Sequence, residues 1–125
     1  MLLVDTNIFL EILLKQDKSD SCKAFLEKNI AVLNMSDFTL HSIGIILFKQ
    51  KEEQSFFKFI SDTLPKTSLL SLPKYKYTEI INVKKQIGLD FDDSYQYCIC
   101  KHFNLNFITM DYDFKKVKDI EIQFL

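Results

Sequence analysis

The sequence has 125 residues, 47% of them hydrophobic, enough to bury a core without disulfides or a structural metal, and one domain over residues 1–125 is expected. A formal net charge of −1 with 26% charged residues excludes a chain whose overall field drives it onto nucleic acid, so any attraction to phosphate must be local. The apolar start Met1–Val4 runs into Asp5 with no basic leader, and no apolar run approaches the roughly 20 residues of a membrane span. Three cysteines, Cys22, Cys98 and Cys100, an odd number with two closely spaced, suit a reducing cytoplasm.

In chain order, Met1–Val4 reads as a short buried strand, and Thr6 or Asn7 supplies the side-chain oxygen that caps a helix running through Leu14. After the polar break Lys15–Lys18, Cys22, Phe25 and Leu26 recur at helical spacing, and Ala31–Met35 follows as a strand. Asp37 or Thr39 opens a third helix with Leu40, Ile43 and Leu47 on one stripe, and Glu52–Leu64 forms another that Pro65 ends. Lys66–Leu72 is a candidate strand stopped by Pro73. Tyr77, Ile80, Ile81 and Ile87 mark a helix closed by Gly88 as a left-handed cap, and Asp92 or Asp93 begins the next. Asn106–Met110 is a strand, and a short turn or helix passes to a last one, Ile120–Phe124. Strands alternating with helices predict an α/β fold in three layers, a mostly parallel central sheet with helices on both faces.

In such a sheet, function collects beyond the carboxyl ends of the strands, and Asp5 and Asp111 each follow an apolar strand. Asp93, at a helix start, and Asp113, two residues after Asp111, point to the same edge. Any one of them serves equally well as a helix cap or turn former; together they crowd like charges that a cation must neutralise. An all-oxygen donor set selects Mg²⁺ or Mn²⁺ over zinc. Such an ion acidifies a bound water and steadies in-line displacement at a phosphate, with Asp93 or Asp5 orienting the water.

Three segments, V-D-T-N at Val4–Asn7, L-D-F-D-D-S at Leu89–Ser94 and I-T-M-D-Y-D-F at Ile108–Phe114, resemble the PIN-domain family in order and spacing over nearly the whole chain. The resemblance implies a metal-dependent ribonuclease, commonly the toxin of a bacterial or archaeal toxin–antitoxin pair, with RNA as substrate, a homodimer and an antitoxin as partners, and a cytoplasmic location. It assigns Asp5, Asp93 and Asp111 as the metal-binding and catalytic acids and Asp113 as a supporting ligand, with Thr6 and Asn7 steadying Asp5 and the Thr109 hydroxyl beside Asp111. Asp93 is preferred to Asp92 because a small residue, Ser94, and an apolar helix follow it. The family's second acid, a Glu on the third helix, is replaced here by Ser42, whose hydroxyl suits holding a metal-bound water. Asp37, His41 and Glu11 are candidates to compensate, and a PIN-fold module that binds RNA or a protein without cutting is the alternative.

Other chemistries find little support. His41 and His102 form no zinc pattern, and two glycines, Gly44 and Gly88, cannot make a phosphate-cradling loop, so no nucleotide cofactor is implied. A phosphoacceptor domain would need an Asp within Leu69–Pro73, and an aspartate-based phosphatase would need Thr or Val after Asp113. The lysine groups, Lys49 with Lys51, Lys84 with Lys85, and Lys115, Lys116 and Lys118, read as solvated faces, with a few available to RNA phosphates. Phe56, Phe57 and Phe59 cannot all face one way on a helix, which leaves one for an interface.

Overall fold

The computed structural model describes residues 1–125. Five strands, β1 (Leu2–Val4), β2 (Leu33–Ser36), β3 (Ser68–Leu70), β4 (Asn106–Thr109) and β5 (Ile122–Phe124), form one sheet in the order β3-β2-β1-β4-β5. Every pairing is parallel, so the expected mostly parallel sheet is wholly so. Six helices connect the strands: α1 (Thr6–Leu13), α2 (Ser19–Lys28), α3 (Asp37–Lys49), α4 (Glu53–Asp62), α5 (Tyr77–Ile87) and α6 (Phe91–Phe103).

Alternation along the strands sorts the core into two layers. Leu3 and Phe107 point to one face and pack with Ile80, Val83, Tyr95 and Ile99 of α5 and α6. Val4 and Ile108, the next residues, point to the other and pack with Ile8, Leu26, Ile43 and Phe59 of α1 to α4. Helices therefore cover both faces, as the sequence pattern requires.

Strand pairing sets the element boundaries. Ala31–Met35 was expected as a strand, but Leu33 already pairs with Leu2 at the start of β1, so the residues before it have no partner and Ile30–Val32 closes into a 3-10 turn. β3 is likewise only as long as its pairing with β2, Ser68 to Leu70, rather than Lys66–Leu72; Lys66 belongs to a 3-10 turn that includes Pro65. The last strand begins at Ile122, opposite Phe107, rather than at Ile120. α6 begins at Phe91, with Asp90 at the capping position, so Asp92 and Asp93 lie inside its first turn instead of opening it. Gly88 ends α5 at φ 82°, the left-handed conformation its lack of Cβ permits.

Candidate metal centre

The strand order reverses at β1. The chain moves outward from β1 to β2 and β3, then returns to place β4 and β5 on the other side, which opens a crevice beyond the carboxyl ends of β1 and β4. Val4 is in register with Ile108, so the next rung sets Asp5 against Thr109, and the Asp5 amide donates to the Ile108 carbonyl at 2.9 Å.

Asp5 is the residue that caps α1, in place of Thr6 or Asn7: its Oδ1 accepts from the Thr6 amide at 2.8 Å. Its Oδ2 accepts from the Thr109 hydroxyl at 2.7 Å. At 7% exposure, burial raises the Asp5 pKa, opposed by the hydrogen bonds from Thr109 and Thr6; nearby Asp111 raises it further and the Gln96 amide lowers it. Thr109 has a second task, since its oxygen accepts from the Asp111 amide at 2.9 Å. Asp111 in turn accepts from the Asp113 amide at 2.9 Å, which tightens the turn after β4 and brings both carboxylates to the crevice.

One carboxylate oxygen each from Asp93, Asp111 and Asp113 lies within 4.8 Å of the others. Mg²⁺ and Ca²⁺ sit about 2.0–2.6 Å from their oxygens, so a single ion spans oxygens up to about 4–5 Å apart, and this group fits a hard divalent cation. Asp5 stands outside that triangle but close enough for its charge to act on Asp93. Burial first, then Asp92, Asp111, Asp5 and Asp90, push the Asp93 carboxyl up to about 7. Loss of water around the carboxylate and the like charges beside it act in the same direction, and a cation bound there would oppose both.

The other predicted residues divide. The Thr6 hydroxyl bonds the Thr39 hydroxyl at 2.9 Å, beneath Asp5, whereas Asn7 is exposed and records no side-chain bond. Ser42 is half-buried on α3, one turn beyond Thr39, and its hydroxyl makes no hydrogen bond. None of the three candidates for the missing charge joins the acidic group. Asp37 is held by Tyr95 at 2.8 Å and the Phe38 amide at 2.8 Å, Glu11 accepts from the Lys18 amide at 2.7 Å, and His41 is exposed.

Sequence reasoning missed Gln96. It is 1% exposed, its Nε2 donates to the Thr39 hydroxyl at 2.8 Å, and its amide is near enough to Asp5 to lower that carboxyl's pKa. Thr39 accepts as well from Ser36 at 3.2 Å, so α6, α3 and α1 share one buried polar network under the acids. Gln96 Oε1 has no partner, and a buried amide oxygen left so is the usual mark of a water or ion. The available signal was a lone amide in the apolar stretch after Ser94, three residues from Asp93 and thus on its helix face.

A model of the PIN domain family matches residues 2–120. The chain belongs to the PIN domain family. Solved structures with this PIN fold include VapBC2 from Rickettsia felis bound to a DNA fragment from their promoter, at TM-score 0.80 and 19% identity over 99% of this chain and 98% of that one. A toxin–antitoxin complex from Klebsiella pneumoniae matches at TM-score 0.77 and 18% identity over 96% and 95%. FitAcB from Neisseria gonorrhoeae matches at TM-score 0.75 and 20% identity over 100% and 97%. No curated protein matches the chain. PIN domains are generally nucleases that use divalent metal ions, and this PIN domain has an acidic cluster suited to one.

Proposed function

We propose that this PIN domain, a single unit over residues 1–125, is a Mg²⁺- or Mn²⁺-dependent endoribonuclease and the toxin of a toxin–antitoxin pair. The observation that carries the reading is the convergence of the Asp93, Asp111 and Asp113 oxygens within 4.8 Å at the reversal point of the sheet. A divalent ion at these carboxylates supplies positive charge for the scissile phosphate and acidifies a nearby water. Asp93, on the first turn of α6 beside Asp111 and Asp113, would orient that water and receive its proton. Asp5, fixed by Thr6 and Thr109, lies beside the cluster and cannot swing away.

A second reading, a PIN-fold module that binds RNA or protein without cutting, is favoured by Ser42, which brings no charge from α3. A broad RNA panel incubated with Mn²⁺, with and without EDTA, separates the two. Metal-dependent cleavage lost in Asp5→Asn and Asp93→Asn supports the nuclease; RNA bound but left intact at high protein concentration assigns the chain to the binding class.

The toxin–antitoxin structures of the same fold support an antitoxin partner. For it, a groove of about 1130 Å³ runs between α1, α2 and α4, with Leu13, Leu26, Ile30 and Phe59 among its lining. The exposed Ile45 and Phe48 of α3 and Phe57 of α4 suit a homodimer or the same partner. No helix is long and apolar enough to cross a membrane, and three unpaired buried cysteines fit the proposed cytoplasmic location.

A further inference from the structure

A second concave feature lies on the same edge of the sheet as the acids. It has a volume of about 200 Å³ and is lined by Asp37, Phe38, His41, Tyr77, Phe91 and Tyr95. Pockets for drug-sized ligands occupy about 300–1,000 Å³, so this one suits a single small planar group. Tyr95 forms its floor. The Tyr95 hydroxyl donates to Asp37 at 2.8 Å and accepts from the Leu72 amide at 2.9 Å, so the ring cannot rotate away. Phe91 stands over it with rings inclined by only 22° and centroids 6.4 Å apart, while Tyr77 and Phe38 tilt against it at 5.9 and 6.3 Å. Phe91 and Tyr77 are 60% and 44% exposed, a costly arrangement for aromatic rings that serve only packing.

The polar rim narrows the ligand further. Both bonds to the Asp37 carboxylate fall on Oδ1, which leaves Oδ2 as a free acceptor at the pocket, with the exposed His41 next to it on α3. A carboxylate beside aromatic faces recognises a flat ring with an amino edge. The pocket is also well placed. Asp37 follows β2 and Asp111 follows β4, on either side of β1, so along the sheet edge they are two strand spacings apart, about 10 Å. That distance equals two to three stacked nucleotides at about 3.4 Å each.

We propose that this cleft binds one unpaired, amino-bearing nucleobase, adenine, cytosine or guanine, of an RNA strand whose nearby phosphate lies at the acidic cluster. The proposal rests on the ribonuclease reading and adds a substrate preference to it. A paired base has both faces covered and its amino group engaged, so the pocket selects single-stranded or looped RNA. Uracil offers no amino group to Asp37 and is disfavoured.

The test is equilibrium binding of short fluorescent adenine-, cytosine- and uracil-only RNA strands, in Ca²⁺ so that binding is read apart from cutting. Phe91→Ala and Tyr77→Ala remove exposed rings and leave the core intact. Each is expected to weaken adenine and cytosine strands by about 5- to 100-fold, uracil strands less, and Phe91→Trp to restore binding. One abasic nucleotide should cost the unmodified protein about as much as Phe91→Ala does, and cost the Phe91→Ala variant little more. Binding of RNA that is indifferent to both variants overturns the base pocket while leaving the ribonuclease reading standing. Failure of the unmodified protein to bind any RNA sinks both. Sedimentation is run in parallel, since a dimer that Phe91→Ala splits into monomers makes these rings a subunit interface and also overturns the pocket.

Discussion

Replacing Asp93 by Asn keeps the shape of the side chain and removes its charge, and the expected product is more stable than the parent without metal and insensitive to it. Moving this carboxyl from its ordinary 3.8 to about 7 corresponds to about 4 kcal/mol between its protonation states, at about 1.36 kcal/mol per unit. Water reaches the half-buried side chain, and this screening reduces the usable figure to about 1–3 kcal/mol. The folded pKa lies above the unfolded one, so between 3.8 and about 7 the folded chain holds a proton that the unfolded chain has lost. Stability from this group is therefore complete below 3.8 and declines until the pH passes 7. The advantage of Asn is greatest above pH 7, is smaller at pH 5 and vanishes near pH 4. Thermal unfolding at pH 8 and pH 5 reads it as a rise of about 4–12 °C at the higher pH. Mn²⁺ at about 100 times its dissociation constant should add about 2.7 kcal/mol to the parent and almost nothing to the Asn variant. A variant no more stable than the parent at pH 8, or a gap equal at both pH values, refutes the reasoning.

Thr109→Val retains volume but leaves a buried Asp5 oxygen and the Asp111 amide without their shared partner; a loss of about 1–3 kcal/mol in urea unfolding is expected, with Thr109→Ser near the parent. Gln96→Leu removes the bond to Thr39 and the amide dipole near Asp5 and should weaken Mn²⁺ binding in calorimetry by more than it lowers the unfolding midpoint; an unchanged titration would show the network to be structural only. Ser42→Glu returns a carboxylate to the turn after Thr39 and should tighten Mn²⁺ at least ~10-fold, about 1.4 kcal/mol, by the same titration. Gly88→Ala meets only the Lys116 Nζ, at an ordinary contact distance of 3.7 Å, but must hold φ near 82°, a cost of about 1–2 kcal/mol in the same unfolding assay.

What the sequence disclosed was what depends on one residue or on a repeating period. Asp5 and Asp111 at strand ends, Gly88 after its helix and Pro65 in the turn after α4 each act through local backbone chemistry. The divided roles of the α4 phenylalanines follow from helical geometry alone: Phe59 is buried, Phe56 half-buried and Phe57 exposed. What escaped depends on partners distant in the chain. Ala31 and Val32 have strand-like character and lack only a neighbour to pair with. Gln96 likewise gains its meaning from Thr39, 57 residues away.

The single hydroxyl that joins Asp5 to the Asp111 amide crosses 104 residues of sequence. β1 is made long before β4, yet the carboxylate that follows it has no correct orientation until β4 has been synthesised and has threaded in beside it. Closing so long a loop comes late in folding. Until β4 has been made, the nascent polypeptide therefore carries its acids apart, and whatever reactivity they support switches on only once the two strands pair.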